Sequence, residues 1–456
     1  QVEGTPNPVY GNPLYPAALG SGGSRGTYSD RGGDGGGWVY IESDIVVVDG
    51  AITANGERGY GNNAGSGSGG TIRILTGDFR GAGVVQANGG SYQVGGGGGR
   101  IAIDYGTLGT AGEDFDGLRT ITAFGGQTGG DSASAGTIVL RRSDQAWGDL
   151  YVDDGTVDDV SLEFTPLPHI GFGVVQEVTD TTLVTDGLVR MLPNGLAGLY
   201  LRPNVEQEYV YTIIGNTDSV ITVDLDGNPA LNIIAAPGDR YSGSHTFDNL
   251  YFRRGGALLL GDPLLVPGTL LLDEYGRIAH YGATTLFESR LEITAGAMDI
   301  RGTGAIVADG LGYLGGKRGD NGADYGLTLG NLPGATYRSG GSYGGLGGHV
   351  EGVPNAVYGD PLEPAALGSG GSRGTYSEAG GNGGGWIWIY AGDIQLAGTI
   401  SANGFTGSGN NAGSGSGGSV LIHTPALSGT GFITADGGAY QVGGGGGRVA
   451  VYYTDE

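Results

Sequence analysis

The chain has 456 residues, 102 of them glycine, no cysteine and a formal charge of −25. That charge repels phosphate backbones, so nucleic acid is not an expected partner, and the missing thiols exclude a disulfide framework and thiolate metal sites. Only 17 prolines and no strict Gly-X-Y period exclude collagen; 38% hydrophobic against 15% charged residues argues against disorder, and no apolar run is long enough for membrane insertion.

In chain order, the first feature is a sequence that returns. VEGTPNPVYGNPLYPAALGSGGSRGTYSD at 2–30 comes back as VEGVPNAVYGDPLEPAALGSGGSRGTYSE at 350–378. The offset of 348 (386 − 38 for the paired tryptophans) holds without a gap to residue 453. Asn62 and Asn63 answer Asn410 and Asn411, and Arg100 answers Arg448. The chain therefore reads as one long period plus the start of the next, cut from a tandem array.

Inside this period two shorter elements alternate. One is ITANG (52–56), VQANG (85–89), IVADG (306–310), ISANG (400–404) and ITADG (433–437). The other is GGWVYI (36–41), GGTIRIL (69–75), GGRIAI (98–103), AGTIVL (135–140), GGWIWI (384–389) and GGRVAV (446–451). Period-two alternation of β-branched residues closed by Gly and Asn turns predicts strands, and their regular return predicts stacked coils. The expected fold is all-β: a glycine-rich parallel β-helix, or solenoid, with coils ~4.8 Å apart. Asn55, Asn88, Asp309, Asn403 and Asp436 precede turn glycines and are expected in left-handed corner conformations.

Between the strands lie tracts such as GYGNNAGSGSGG (59–70) and YQVGGGGG (92–99), kept in the later copy. Flexible loops would tolerate Ser or Ala there. Their retention predicts ordered tracts packed backbone to backbone, which only a residue without Cβ allows. From 149 the glycine density falls. The expected organisation is a first solenoid copy over 1–148, an inserted β-rich sandwich or barrel module over 149–250, continued solenoid over 251–348, and the second copy over 349–456.

The GxIxANG…GSGSGGxIxI…GGGGGRIAI pattern resembles the glycine-rich repeats of very large secreted or surface bacterial proteins with right-handed, pectin-lyase-like parallel β-helices. LAGLYLRPN…YTIIGNTDSVITVD resembles a small β module of the same proteins. The resemblance implies an extracellular or cell-surface location and a structural or adhesive role, and it supplies no catalytic residues.

Candidate sites are few. Gly22-x-Ser24-x-Gly26 and its copy Gly370-x-Ser372-x-Gly374 match a nucleophile elbow, yet no helix follows. Asp153-Asp154 and Asp158-Asp159 are acidic doublets whose neighbours point to opposite strand faces, which puts one carboxylate on each face. His169, His245, His280, His349 and His423 lack metal-ligand spacing. Asp224, Asp226 and Asn228 resemble the start of a calcium loop, or equally a β-turn; calcium is the one cofactor the sequence suggests. Arg318-Gly319-Asp320 follows Lys317, the sole lysine, whose solitude excludes lysine-based chemistry. Trp386, Trp388 and Tyr390 alternate with Ile387 and Ile389; with isoleucine inward, an aromatic row faces out, to pack on glycine backbones or stack on glycans. The expected function is a structural or adhesive fibre segment, not an enzyme, partnered by copies of itself and by polysaccharide. The alternatives are a polysaccharide lyase or glycosidase, or a carbohydrate-binding adhesin tip.

Overall fold

The computed structural model describes residues 7–108, 120–127, 133–155 and 163–454. These are nearly all strand and turn, hydrogen-bonded into large sheets of mixed direction. The strands Trp38–Val47, Thr71–Arg80, Arg100–Leu108 and Thr137–Arg142 pair in parallel, each with the next. Their register stacks like on like: Ile41, Ile74, Ile103 and Leu140 form one column, and Val39, Ile72, Ile101 and Ile138 another. The short strands Ala51–Thr53, Val84–Gln86 and Ile121–Thr122 also pair in parallel and add Ile52, Val85 and Ile121 to the same core. Each fully buried aliphatic side chain in such a column contributes about 1.5–3 kcal/mol. In-register parallel pairing lets β-branched residues of adjacent strands pack over one another.

One seam departs from uniform parallel stacking. Thr137–Arg142 turns back through Gly148 (φ +80°) and pairs antiparallel with Asp149–Asp153. Parallel pairing then resumes through Asn249–Arg253, Leu264–Leu272, Leu291–Ile300, Trp386–Leu396, Ser419–His423 and Arg448–Tyr452. A companion sheet of parallel strands runs from Thr165–Pro166 through Ala257–Leu260, Arg277–His280, Ala305–Val307 and Thr399–Ser401 to Phe432–Thr434. Both sheets feed one core that includes Leu250, Phe252, Leu258, Ile278, Ile293, Ile306, Ile389 and Ile400.

Antiparallel strands between Gly173 and Thr246 form a module with its own core of Leu183, Leu201, Tyr211, Ile213, Ile221 and Tyr241. It joins the parallel sheet at its end, where His245 and Thr246 pair with Leu264 and Leu265. Asp149–Asp153 lies in the long ladder and not in this module.

The glycine tracts are ordered, and their hydrogen bonds run in three directions. Gly65 and Ser68 donate N–H to Ser24 and Ser21, Ser66 and Gly69 to Val94 and Gly97, and Gly67 and Gly70 to Glu57 and Ala54, all at 2.7–3.0 Å. The period of three is that of an extended threefold helix, so each tract bonds to neighbours all round it instead of to two flanking strands. The second copy repeats the pattern: Gly413 and Ser416 bond to Ser372 and Ser369, Ser414 and Gly417 to Val442 and Gly445, Gly415 and Gly418 to Phe405 and Ala402. Fixing a residue costs ~1–2 kcal/mol in backbone entropy, and one net hydrogen bond returns about 0.5–1.5 kcal/mol. The array thus roughly breaks even by itself, and the apolar columns at its flank supply the surplus.

The residues before the turn glycines correct an expectation. None of Asn55, Asn88, Asp309, Asn403 and Asp436 has positive φ. They form ladders instead. Asn55 Oδ1 accepts the N–H of Asn88, and Asn88 Oδ1 that of Phe124, both at 2.8 Å. Asp309 Oδ1 accepts from Asn403, and Asn403 Oδ1 from Asp436, both at 2.7 Å. A short side chain with one acceptor reaches one strand spacing along the stack, a different use of the residue type that favours left-handed turns.

Candidate functional site

The acidic turn lies at the end of the strand Val220–Asp224. Asp226 (φ +43°) and Gly227 (φ +82°) make a tight reversal closed by the Asn228 N–H on the Leu225 carbonyl. Asp224 Oδ1 accepts the Asp226 N–H at 3.1 Å, and the Asn228 amide donates to the Val210 carbonyl at 3.2 Å. The turn's own hydrogen bonds therefore engage Asp224 and Asn228. Among the described residues no three His, Asp or Glu side chains converge on a metal-sized space.

Of the two Gly-x-Ser-x-Gly matches, Ser24 is exposed and its copy is not. Ser372 is buried, accepts the Ser339 N–H at 2.9 Å and donates to the Ser339 carbonyl, inside the glycine array. Asp153 is buried and forms a two-pronged ion pair with Arg254; Asp158 and Asp159 lie outside the described residues. Arg318 donates to the Gly380 carbonyl, and Asp320 accepts from the Thr285 hydroxyl at 2.6 Å, so both arms of the Arg-Gly-Asp run have partners within the chain.

On the Trp386–Leu396 strand, Ile387 and Ile389 are fully buried while Trp388 and Tyr390 are exposed. Trp386 is half-buried beneath the Arg290 guanidinium, 4.8 Å from its ring centre. Tyr390, His423 and Tyr452 occupy one outward column. Their rings stack on each other: His423 and Tyr452 lie 4.9 Å apart and 9° from parallel, and Tyr390 lies 6.0 Å from His423. Ring faces spent on each other are withdrawn from a flat ligand. Three of the four residues in the matching column of the first copy are charged, Glu42, Asp104 and Arg141 around Leu75, with Arg141 on Asp104 at 2.6 Å. Inward columns agree between copies, as does the outward column of Trp38, Thr71 and Arg100 with Trp386, Ser419 and Arg448, whereas this outward column does not.

Arg290 was not legible as a site residue. It lies 3.9 Å from the Phe172 ring centre and pairs with Glu292. It lines a cleft of 320 Å³ between the module and the parallel stack, with Asp186, Arg240, Tyr241, Glu288 and Trp386. Nearby, Asp262 is 3% exposed and clamps both ends of the module. Its Oδ1 accepts Gly171 N–H at 2.8 Å and Gly243 N–H at 3.2 Å, and its Oδ2 accepts Ile170 N–H at 3.0 Å. Burial pushes its carboxyl up to about 7, against the pull of those three donors.

His280, at the end of the strand Arg277–His280, links that strand to the second copy. It is fully buried; its Nδ1 lies 2.7 Å from the Tyr281 carbonyl, and its Nε2 accepts the Trp386 N–H at 3.3 Å. These partners require the neutral ring with the proton on Nδ1, and burial pushes its pKa down to about 4. The unfolded ring, near 6.5, binds the proton first as pH falls. Its stabilising contribution is therefore complete above pH 6.5 and lost between 6.5 and 4, by roughly 3 kcal/mol. Unfolding midpoints of the parent and His280→Gln should accordingly converge as pH falls through this window. A constant difference between them would refute the assignment.

No family model matches the chain, and no curated protein matches it.

Proposed function

We propose that the chain is a mechanical segment of an extracellular or cell-surface fibre: a glycine-rich β-solenoid that continues end to end with further copies of itself and carries one small β module per period. The observation that carries this reading is the three-directional hydrogen-bonding of the glycine tracts, in which the six bonds donated by residues 65–70 recur at 413–418. An array bonded all round each strand resists bending in every direction, whereas a sheet bonded only edge to edge is stiff in one plane. The charge of −25 keeps such rods apart in solution. The module and the variable outward columns are the surfaces left for adhesion.

The test is length. From the Trp38 strand to the Trp386 strand the ladder passes through the Thr71, Arg100, Thr137, Asp149, Asn249, Leu264 and Leu291 strands, eight steps in all. At ~4.8 Å per step one period adds about 38 Å. Chains of one, two and three periods, imaged by negative-stain electron microscopy, should be straight rods lengthening by that increment. Beads on a slack string would refute the fibre reading.

A further inference from the structure

We propose that the face bearing Trp38–Val47 is a docking face for residues 291–348 of another copy, in a register that the chain already displays once. This rests on the end-to-end reading above and adds its interface. Among the described residues Trp38–Val47 pairs on one edge, with Thr71–Arg80. Its counterpart Trp386–Leu396 pairs on both, receiving Leu291–Ile300 on the second. There Leu291 meets Ile387 and Ile293 meets Ile389; by the offset, Val39 and Ile41 are the open equivalents. The companion strands tell the same story. Thr399–Ser401 receives Ala305–Val307, while among the described residues Ala51–Thr53 pairs with Val84–Gln86 and no second strand.

The glycine array is interrupted at the same face. In the second copy Gly380 and Gly383 donate to the Gly316 and Tyr313 carbonyls at 2.8 and 2.9 Å. Their equivalents Gly32 and Gly35 have no such backbone partner among the described residues. Gly445 lies against Gly345, whose carbonyl oxygen a Cβ would meet at 2.0 Å; at the equivalent Gly97 the nearest atom is 4.0 Å away. Exposure follows: Ile387 and Ile389 are fully buried, whereas Val39 and Ile41 are only half-buried. A hydrophobic edge whose backbone donors are unmet among the described residues, matched by an equivalent edge that is met within the chain, points to a second copy as its occupant.

In the free chain residues 291–348 are already covered by the chain's own second copy. A full-length donor carrying Ile387→Arg and Ile389→Arg, which expels that copy, should therefore accept the Trp38 face of an intact chain. The chain has no cysteine, so Thr294→Cys in the donor and Glu42→Cys in the acceptor report the register, because Thr294 faces Tyr390, the equivalent of Glu42. Expected is a disulfide-linked pair formed at least about 10-fold more than with a donor lacking the two arginines, and suppressed by Gly97→Ala in the acceptor. Equal linkage with both donors, or indifference to Gly97→Ala, overturns the proposal. A second measurement does not depend on the arginine variant: in a chain of residues 1–348 followed by 1–456, amide exchange in the internal copy of 39–48 should be slowed about 100-fold against the terminal copy. Equal exchange overturns the proposal even where the rods of the preceding test form. Slack chains with linked cysteines would instead sink the fibre reading alone.

Discussion

Gly96→Ala is expected to destabilise the chain by at least about 3 kcal/mol, while Gly97→Ala, one residue on, stays within about 0.5 kcal/mol of the parent. The two residues share one pentaglycine tract. A Cβ at Gly96 would stand 2.0 Å from the Gly67 carbonyl oxygen and 2.5 Å from its carbon. That peptide is held by its neighbours: the Gly67 N–H donates to Glu57, and its carbonyl accepts from Gly90. No flexible side chain can give way, so a whole backbone segment has to move. At Gly97 the space is open, and alanine lowers the entropy of the unfolded chain. Chemical denaturation of both variants checks the contrast. Equal midpoints for the two would mean that the tracts are slack and the array is not formed. The same substitution at Gly445, the copy of Gly97, should behave like Gly96→Ala, because Gly345 covers it.

Asp262→Ala is expected to cost about 3–5 kcal/mol, through three buried N–H groups left without an acceptor at up to about 1–3 kcal/mol each. Two of them, on Ile170 and Gly171, lie where the chain runs into the module; the third, on Gly243, lies where it leaves. The loss should therefore show first as protease cutting between 170 and 245, ahead of global unfolding. Asp262→Asn keeps one acceptor oxygen but turns an NH₂ toward a donor, and should fall between the parent and alanine. A parent-like Asp262→Ala, uncut and equally stable, would show that the clamp is not holding the module.

The local features of the fold were legible because their cause is local. Alternation of Ile387 and Ile389 with Trp388 and Tyr390 places isoleucine inside and aromatic rings outside through the two-residue pleat alone, and the buried columns follow it. The order of the glycine tracts was legible from their retention in both copies. Four of the five positions in Gly95–Gly99 leave a Cβ only 2.0–2.3 Å from a carbonyl oxygen, while Gly97 lies at an open face.

What the sequence could not separate were outcomes that one residue type serves equally. Asn88 suits a left-handed corner and a ladder to the next strand, and only the position of Phe124 decides between them. A fall in glycine density at 149 marks a change of material, yet the Asp149 strand remains in the long ladder, because its partner arrives a hundred residues later at Asn249. Asp262 before a proline has the look of any turn; its role exists only when Gly171 and Gly243 come together around it. The repeat, the strands and their inward faces were thus determined by the sequence, since period and side-chain size act over a few residues. The antiparallel seam, the three-way bonding of the glycines, the buried clamp and the pairing of Leu291–Ile300 with the Trp386 strand were decided by tertiary structure, since each depends on which distant backbone comes within hydrogen-bonding reach.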